Sequence, residues 1–335
     1  MMRPARLFCF VWAGAVALSL VMYAAAAEET PVPVSAPAPS EALPEEIRPL
    51  VSLLDQETKA LEILRKFDQT QMKLIEWDIS LAEELFANDG KEAAEAKLEE
   101  ARKRVELVKK AYDLFLARYP NNARANCYLG ELYYDHLDDQ AQGLAKWKLA
   151  EQLDPNTAAA LNNMAIHYSH TGDFDQGITY LERAIKLEPD NPDFLYNAVQ
   201  IYLTQFPQVM QRYNWDKKRT YHEAMKRSRK AAELSPDDYA LAQDYAVNFF
   251  IAEQMEAQAD WKAAMDAWAK AREIAQRKVD EYYTFVNEGR AAIRGGYYER
   301  AISCLKNAKT MNARSSEVDA LIGQAEQGAS EQKKR

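Results

Sequence analysis

Five times between residues 130 and 308 the chain sets down the same ordered series of small and bulky side chains. A small residue recurs at Gly143, Gly177, Ala224, Ala264 and Ala301, and seven places after each stands an alanine: Ala150, Ala184, Ala231, Ala271 and Ala308. Between the two comes a usually bulky residue, at Trp147, Leu181, Ser228, Trp268 and Leu305. Upstream of each set sits Gly130, Ala165, Val199, Ala246 or Gly289, followed three later by Tyr133, Tyr168, Tyr202, Phe249 or Ala292. Pro155, Pro189 and Pro236 close the first three sets. Small residues let two antiparallel helices approach, large ones fill the gap between them, and proline stops the second helix. With only 11 glycines and few alternating strand-like runs, the expected fold class is all-α.

The 34-residue step from Ala150 to Ala184, with this order of residues, resembles the tetratricopeptide repeat. Five units fall near 123–156, 158–191, 192–238, 239–280 and 282–315. The resemblance implies a right-handed superhelix, an α-solenoid of about five helix pairs over residues 121–315, with 316–335 as a capping helix and polar tail. Departures from the pattern are specific. The alanine spacing runs 34, 47, 40 and 37. Thirteen extra residues between Tyr202 and Ala224 include Phe206, Val209, Met210, Tyr213 and Trp215, and six more separate Ala246 from Ala264. The fourth and fifth units carry Gln276 and Ala313 where a proline would close them, so a helix from 262 to about 286 is expected to run on without a sharp break.

Ahead of the repeats, residues 1–27 hold Arg3 and Arg6, an apolar run and the alanines 24–27, the layout of a secretory signal cut after Ala27. The competing reading keeps it uncut, because Leu7 to Ala27 is long enough to span a ~30 Å hydrocarbon core. The chain is thus expected to be exported, periplasmic if cut and anchored to an inner membrane by residues 7–27 if not. Residues 28–44, with Pro31, Pro33, Pro37, Pro39 and Pro44, read as an extended, disordered linker. Over 45–120, Leu61, Leu64, Met72, Ile75, Ile79, Ala82 and Phe86, then Ala94, Leu98, Ala101, Val105, Val108, Tyr112 and Phe115, predict two long helices folded back at 87–90. This hairpin either packs on the rest of the chain or self-associates as a coiled coil; the short seam, interrupted by Asp68, favours the former.

The net charge of −9 argues against nucleic acid as a partner. In tetratricopeptide proteins the first helices line a groove that usually holds a peptide or a partner's helix, and the matching positions here are Tyr128, Asn163, Asn197, Asp244 and Asn287, with Asn162, Tyr196, Gln200, Gln243, Arg290 and Arg294 beside them. An amide offers both a donor and an acceptor to an extended backbone, or equally to a neighbouring helix. The lysines of the chaperone-tail clamp of that family are not present. Residues 212–230 reverse the local charge with Arg212, Lys217, Lys218, Arg219, Lys226, Arg227, Arg229 and Lys230, either an anion-facing patch or a solvated helix face. His167 and His170 share a helix face without a completed ligand set, so no metal is expected. Cys127 and Cys304 fall too far apart along the array for a bridge. No phosphate-cradling loop, serine elbow or haem motif appears, so neither an enzyme nor a cofactor is expected. Two functions follow as expectations. One is a non-enzymatic adaptor of the cell envelope that holds a protein partner in its groove. The other is a structural envelope protein that oligomerises through the hairpin and touches anionic polymer or lipid through 212–230.

Overall fold

The computed structural model describes residues 44–88 and 90–334, and among them every regular element is helical. The expected export signal and the spacer up to residue 43 lie outside the described residues. Among the described residues no helix is long and apolar enough to cross a membrane. The chain divides into two compact units, residues up to 164 and from 165 onward.

The first unit opens with a short helix, α1 (Arg48–Val51), then two long ones, α2 (Glu57–Asn88) and α3 (Lys91–Arg118). Leu64 and Ile75 of α2 meet Val105, Val108, Tyr112 and Phe115 of α3 in one buried cluster. Each large side chain moved from water into such a core contributes about 1.5–3 kcal/mol. Asp68 does not interrupt this seam. It lies inside it, 6% exposed, and accepts hydrogen bonds from Arg65 at 2.7 Å and from the Tyr112 hydroxyl at 2.7 Å. Phe86, counted with the seam from its spacing, stands 61% exposed near the hairpin tip. Next come α4 (Ala123–Asp135) and α5 (Gln140–Leu153), and α6 (Ala158–His170) begins. The small residues act here as their pattern implies. A Cβ on Gly130 would lie 2.7 Å from the Trp147 indole and 3.0 Å from the Gly143 carbonyl oxygen, and Trp147 is fully buried.

The second unit completes α6 and continues with α7 (Phe174–Leu187), α8 (Pro192–Thr204), the inserted α9 (Phe206–Tyr213), α10 (Lys217–Leu234), α11 (Tyr239–Val247), α12 (Trp261–Glu273), α13 (Lys278–Gly295), α14 (Tyr298–Met311) and α15 (Ser316–Lys333). Aspartates start the second helix of four successive pairs. Asp139 caps α5 in the first unit, and Asp173, Asp216 and Asp260 cap α7, α10 and α12 here; each carboxylate accepts a backbone N–H of the first turn at 2.7–3.1 Å. Such caps contribute about 1 kcal/mol apiece. The fifth second helix, α14, begins after Tyr297, which makes no side-chain cap.

The two lengthened units meet each other. Phe206 and Leu203 pack with Tyr221, Ile251, Ala252 and Met255, so the extra residues of the third unit and those of the fourth form one small core. Trp215 stacks on Tyr213 at 4.6 Å, and the Tyr213 hydroxyl donates to Glu182 at 2.6 Å. Helix α12 does not run on to 286. It ends at Glu273, and α13 starts at Lys278 after Arg277 takes an extended backbone conformation, its guanidinium gripping Asp280 with two 2.7 Å hydrogen bonds. An arginine–aspartate clasp thus makes the break that proline makes in the earlier units. Helix α15 buries Val318, Ala325 and Ala329, closing the last pair with Val286, Leu305 and Ala308.

Candidate functional site

The expected groove residues have different surroundings in the two units. In the first, Tyr128 lies under the Arg65 guanidinium, 4.0 Å from its ring centre. The Asn163 amide donates to Glu131 at 3.1 Å, and the Cys127 thiol reaches the same carboxylate at 3.7 Å. Together with Asp68 and Tyr112 these groups make one polar network among α2, α3, α4 and α6. Burial raises the Glu131 carboxyl above the usual range, although Arg65 and the Asn163 amide pull it down. Burial also raises the Cys127 thiol, with Glu131 adding to the effect. These are the properties of a polar core that fixes neighbouring helices. Asn162 is buried.

In the second unit Gln200 and Asp244 engage each other at 2.8 Å, and Asp244 also accepts from Ser228 at 2.8 Å and from Asn248 at 3.0 Å. Ser228 occupies the place where the other pairs carry a tryptophan or leucine, and this network replaces the apolar filler. Tyr196 packs on Leu195, Ala231 and Leu241, while Asn197 and Gln243 are half-buried.

Farther along, three of the expected residues converge on one cleft. It has a volume of about 490 Å³ and is lined by Val247, Phe250, Tyr283, Asn287, Arg290, Ile293, Arg294, Leu321 and Gln324. Its walls come from α11 and the turn after it, from α13 and from α15, the first helices of successive pairs and the cap. Asn287 is buried, donates to the Tyr283 carbonyl at 2.9 Å and accepts from Arg290 at 3.2 Å. Arg290 also bonds Glu317. Arg294 is exposed, its guanidinium carbon 5.7 Å from the Phe250 ring centre and 5.6 Å from that of Trp261. Among the described residues it has no carboxylate partner. The cleft therefore offers an apolar floor beside a cation whose charge no described carboxylate neutralises. Sequence reasoning found the polar rim and missed the floor. Phe250 belongs to the extra residues of the fourth unit, and Leu321 to the terminal helix set aside as polar.

The basic segment is largely consumed within the fold. Arg212 pairs with Glu182, Lys217 with Glu256, Arg227 with Glu223, Arg229 with Glu233 and Lys230 with Asp190. Arg219 lies over Trp215 at 5.1 Å. Lys218 and Lys226 are exposed and without an ion pair among the described residues. A wider depression of about 650 Å³ beside Gly172, Asp173 and Arg212 is polar, and its Asp173 and Arg212 are already bonded. His167 sits edge-on to Tyr168 and His170 is exposed; no group of three His, Cys, Asp or Glu side chains is placed to hold a metal among the described residues. Cys304 is buried against the Glu288 carboxylate, and burial with that charge pushes its thiol up to about 12. Cys127 and Cys304 are both free.

The fold and cleft define an all-helical protein of stacked antiparallel helix pairs. Residues 158–191, which span α6 and α7, match the family model described as tetratricopeptide repeat. Residues 158–191 are therefore a tetratricopeptide repeat, a module found generally in scaffolds for protein–protein interaction. Similar solved structures include YrrB, described as a tetratricopeptide protein with an unusual peptide-binding site, at 16% identity and a TM-score of 0.47 over 65% of this chain and 99% of that one. Pseudomonas aeruginosa PilF matches at 14% identity and 0.47 over 75% and 97%. The C-terminal part of a repeat protein from Cytophaga hutchinsonii matches at 14% identity and 0.48 over 82% and 99%. No curated protein matches the sequence.

Proposed function

We propose that the chain is a non-enzymatic adaptor of the cell envelope that holds a segment of a partner protein in the cleft between α11, α13 and α15. The observation that supports this most is Arg294, exposed over two aromatic rings beside an apolar floor, with no carboxylate of its own among the described residues. A segment that suits the cleft carries an acidic side chain or terminal carboxylate next to a large apolar residue. The carboxylate meets Arg294, and the apolar group covers Phe250, Ile293 and Leu321. Export, from the signal-like residues 1–27, is part of the same proposal. The alternative contact through 212–230 is weaker, because five of its eight cations already have acidic partners.

Selection of a displayed random peptide library on the protein tests the cleft. Enrichment of peptides with an acidic residue beside Leu, Phe or Ile, and their loss on Arg294→Glu, is the expected result. Selected peptides without acidic residues, or peptides that bind the Arg294→Glu variant equally well, would remove the cleft from the account.

A further inference from the structure

The aromatic surface under Arg294 continues past the end of the cleft. Phe250 and Trp261, the two rings beside the Arg294 guanidinium, have centres 5.7 Å apart, so the cation sits over the joint between them. Phe250 lines the cleft, whereas Trp261 lies outside its lining. Next to Trp261 comes Tyr297, 45% exposed. Two successive glycines build this corner. Gly296, at a φ of 76°, makes the left-handed turn that ends α13. Gly295 serves a different end: a Cβ there would stand 2.7 Å from the Trp261 Cβ and 2.7 Å from Tyr297 Cδ2, so the absence of a side chain lets both aromatics close over the end of the helix. Phe250 and Trp261 both belong to the lengthened stretch between Ala246 and Ala264, where this chain departs from the repeat. Tyr283 and Arg294, the cleft residues farthest apart on α13, are separated along its axis by about 16 Å. That is the span of roughly five extended residues.

We infer that the cleft takes an internal, proline-bearing stretch of its partner, which lays a large apolar residue on the floor, sets an acidic side chain on Arg294 and leaves across Trp261 and Tyr297 with the proline. This deepens the reading proposed above and rests on it. A chain end would stop at the cation and leave the second pair of rings uncovered. An acidic side chain within a longer segment lets the backbone pass the cation and continue over them. Proline suits that exit for two physical reasons. Its ring lays apolar surface on an aromatic face without a backbone N–H that needs a partner, and it holds the chain extended before binding, so little conformational freedom is lost. The Trp261 ring centre lies 5.6 Å from the guanidinium carbon, about two residues of such a chain at roughly 3.1 Å each. The proline therefore stands about two or three places from the acid, on the side away from the large apolar residue.

Two displayed random peptide libraries test it, one fused at both ends and one ending in a free carboxylate. Each is selected on the protein, on Arg294→Glu and on Tyr297→Ser. Serine is itself favoured at the helix start that Tyr297 occupies, so this variant keeps α14. The expected result is enrichment, from the doubly fused library, of peptides with a large apolar residue on one side of an Asp or Glu and a proline on the other. Selection on Tyr297→Ser should lose the proline and keep the acid. A fluorescein-labelled copy of an enriched peptide should bind Tyr297→Ser about tenfold more weakly or worse, the loss typical of an aromatic contact at an interface. Acidic peptides that need Arg294 but show no preferred proline, that come only from the free-carboxylate library, or that bind Tyr297→Ser unchanged would overturn the inference and leave the cleft in place. Peptides without acidic residues, or binding that survives Arg294→Glu, would remove the cleft and the inference together.

Discussion

Gly289 and Gly323 both lie within helices of the second unit, and the same change to alanine is expected to move stability in opposite directions. At Gly323, on the exposed side of α15, a new Cβ meets no atom within 4 Å. There alanine gains its helix preference over glycine, about 0.5–1 kcal/mol. At Gly289 the same Cβ would stand 2.6 Å from Leu305 Cγ and 2.8 Å from its Cδ2. Leu305 is fully buried among Val286, Ala308 and Val318, so its branch point has nowhere to retreat. Overpacking of a filled core costs roughly 1–3 kcal/mol, and more when the obstructing atom is not the tip of a flexible chain. After the same propensity gain is subtracted, Gly289→Ala is expected to destabilise α13 and α14 by about 1–2 kcal/mol. Urea unfolding gives the global comparison. Native-state hydrogen exchange locates it, because neighbouring pairs in a repeat array can open separately. Protection should fall over 278–311 in the Gly289 variant and rise slightly over α15 in the Gly323 variant. A Gly289→Ala protein as stable as the parent would refute the close-approach account of the small-residue pattern.

Asp68→Ala removes the acceptor that Arg65 and the Tyr112 hydroxyl share in a buried seam, leaving Arg65 the Glu131 charge alone, and is expected to cost about 1–3 kcal/mol by urea unfolding. Tyr112→Phe alone should cost about 1–3 kcal/mol, and the double variant should lose less than the sum, since both changes break one hydrogen bond. Glu131 holds its proton more tightly folded than unfolded, because burial raises its pKa from 4.5. Folding therefore takes up a proton just above that value, and the stability this group contributes falls as pH rises through the window. Glu131→Gln should accordingly gain on the parent as pH rises above 4.5, whereas a pH-independent difference in unfolding midpoint would contradict the raised carboxyl.

The repeating pattern was legible because close packing favours a glycine or alanine at a fixed place, a preference that nine of the ten such places keep and only Val199 breaks. Trp147, Leu181, Trp268 and Leu305 are all fully buried for the same reason. The break at 274–277 was not legible. Proline marks a helix end in the sequence, but a clasp between Arg277 and Asp280 depends on side-chain geometry that spacing does not reveal. Asp68 misled in the opposite sense. A carboxylate on an apolar face reads as an interruption until Arg65, one turn earlier, and Tyr112, from a second helix, are seen to satisfy it. Among the groove residues, the choice between a ligand and a neighbouring helix could be made only with the partners in view. Asn163 and Gln200 point to other helices, at Glu131 and Asp244. Arg294 stood in the sequence with nothing to distinguish it from Arg290; the difference is Glu317, which pairs with one of them only.

Partner capture from native extract, by the parent chain and by two double variants, tests the central claim most directly. One variant carries Asn287→Ala with Arg294→Glu in the cleft. The other carries Lys218→Glu with Lys226→Glu on the basic segment. The account predicts a partner retained by the parent and by the basic-segment variant and lost from the cleft variant. Equal capture by all three, or loss only from the basic-segment variant, would contradict it.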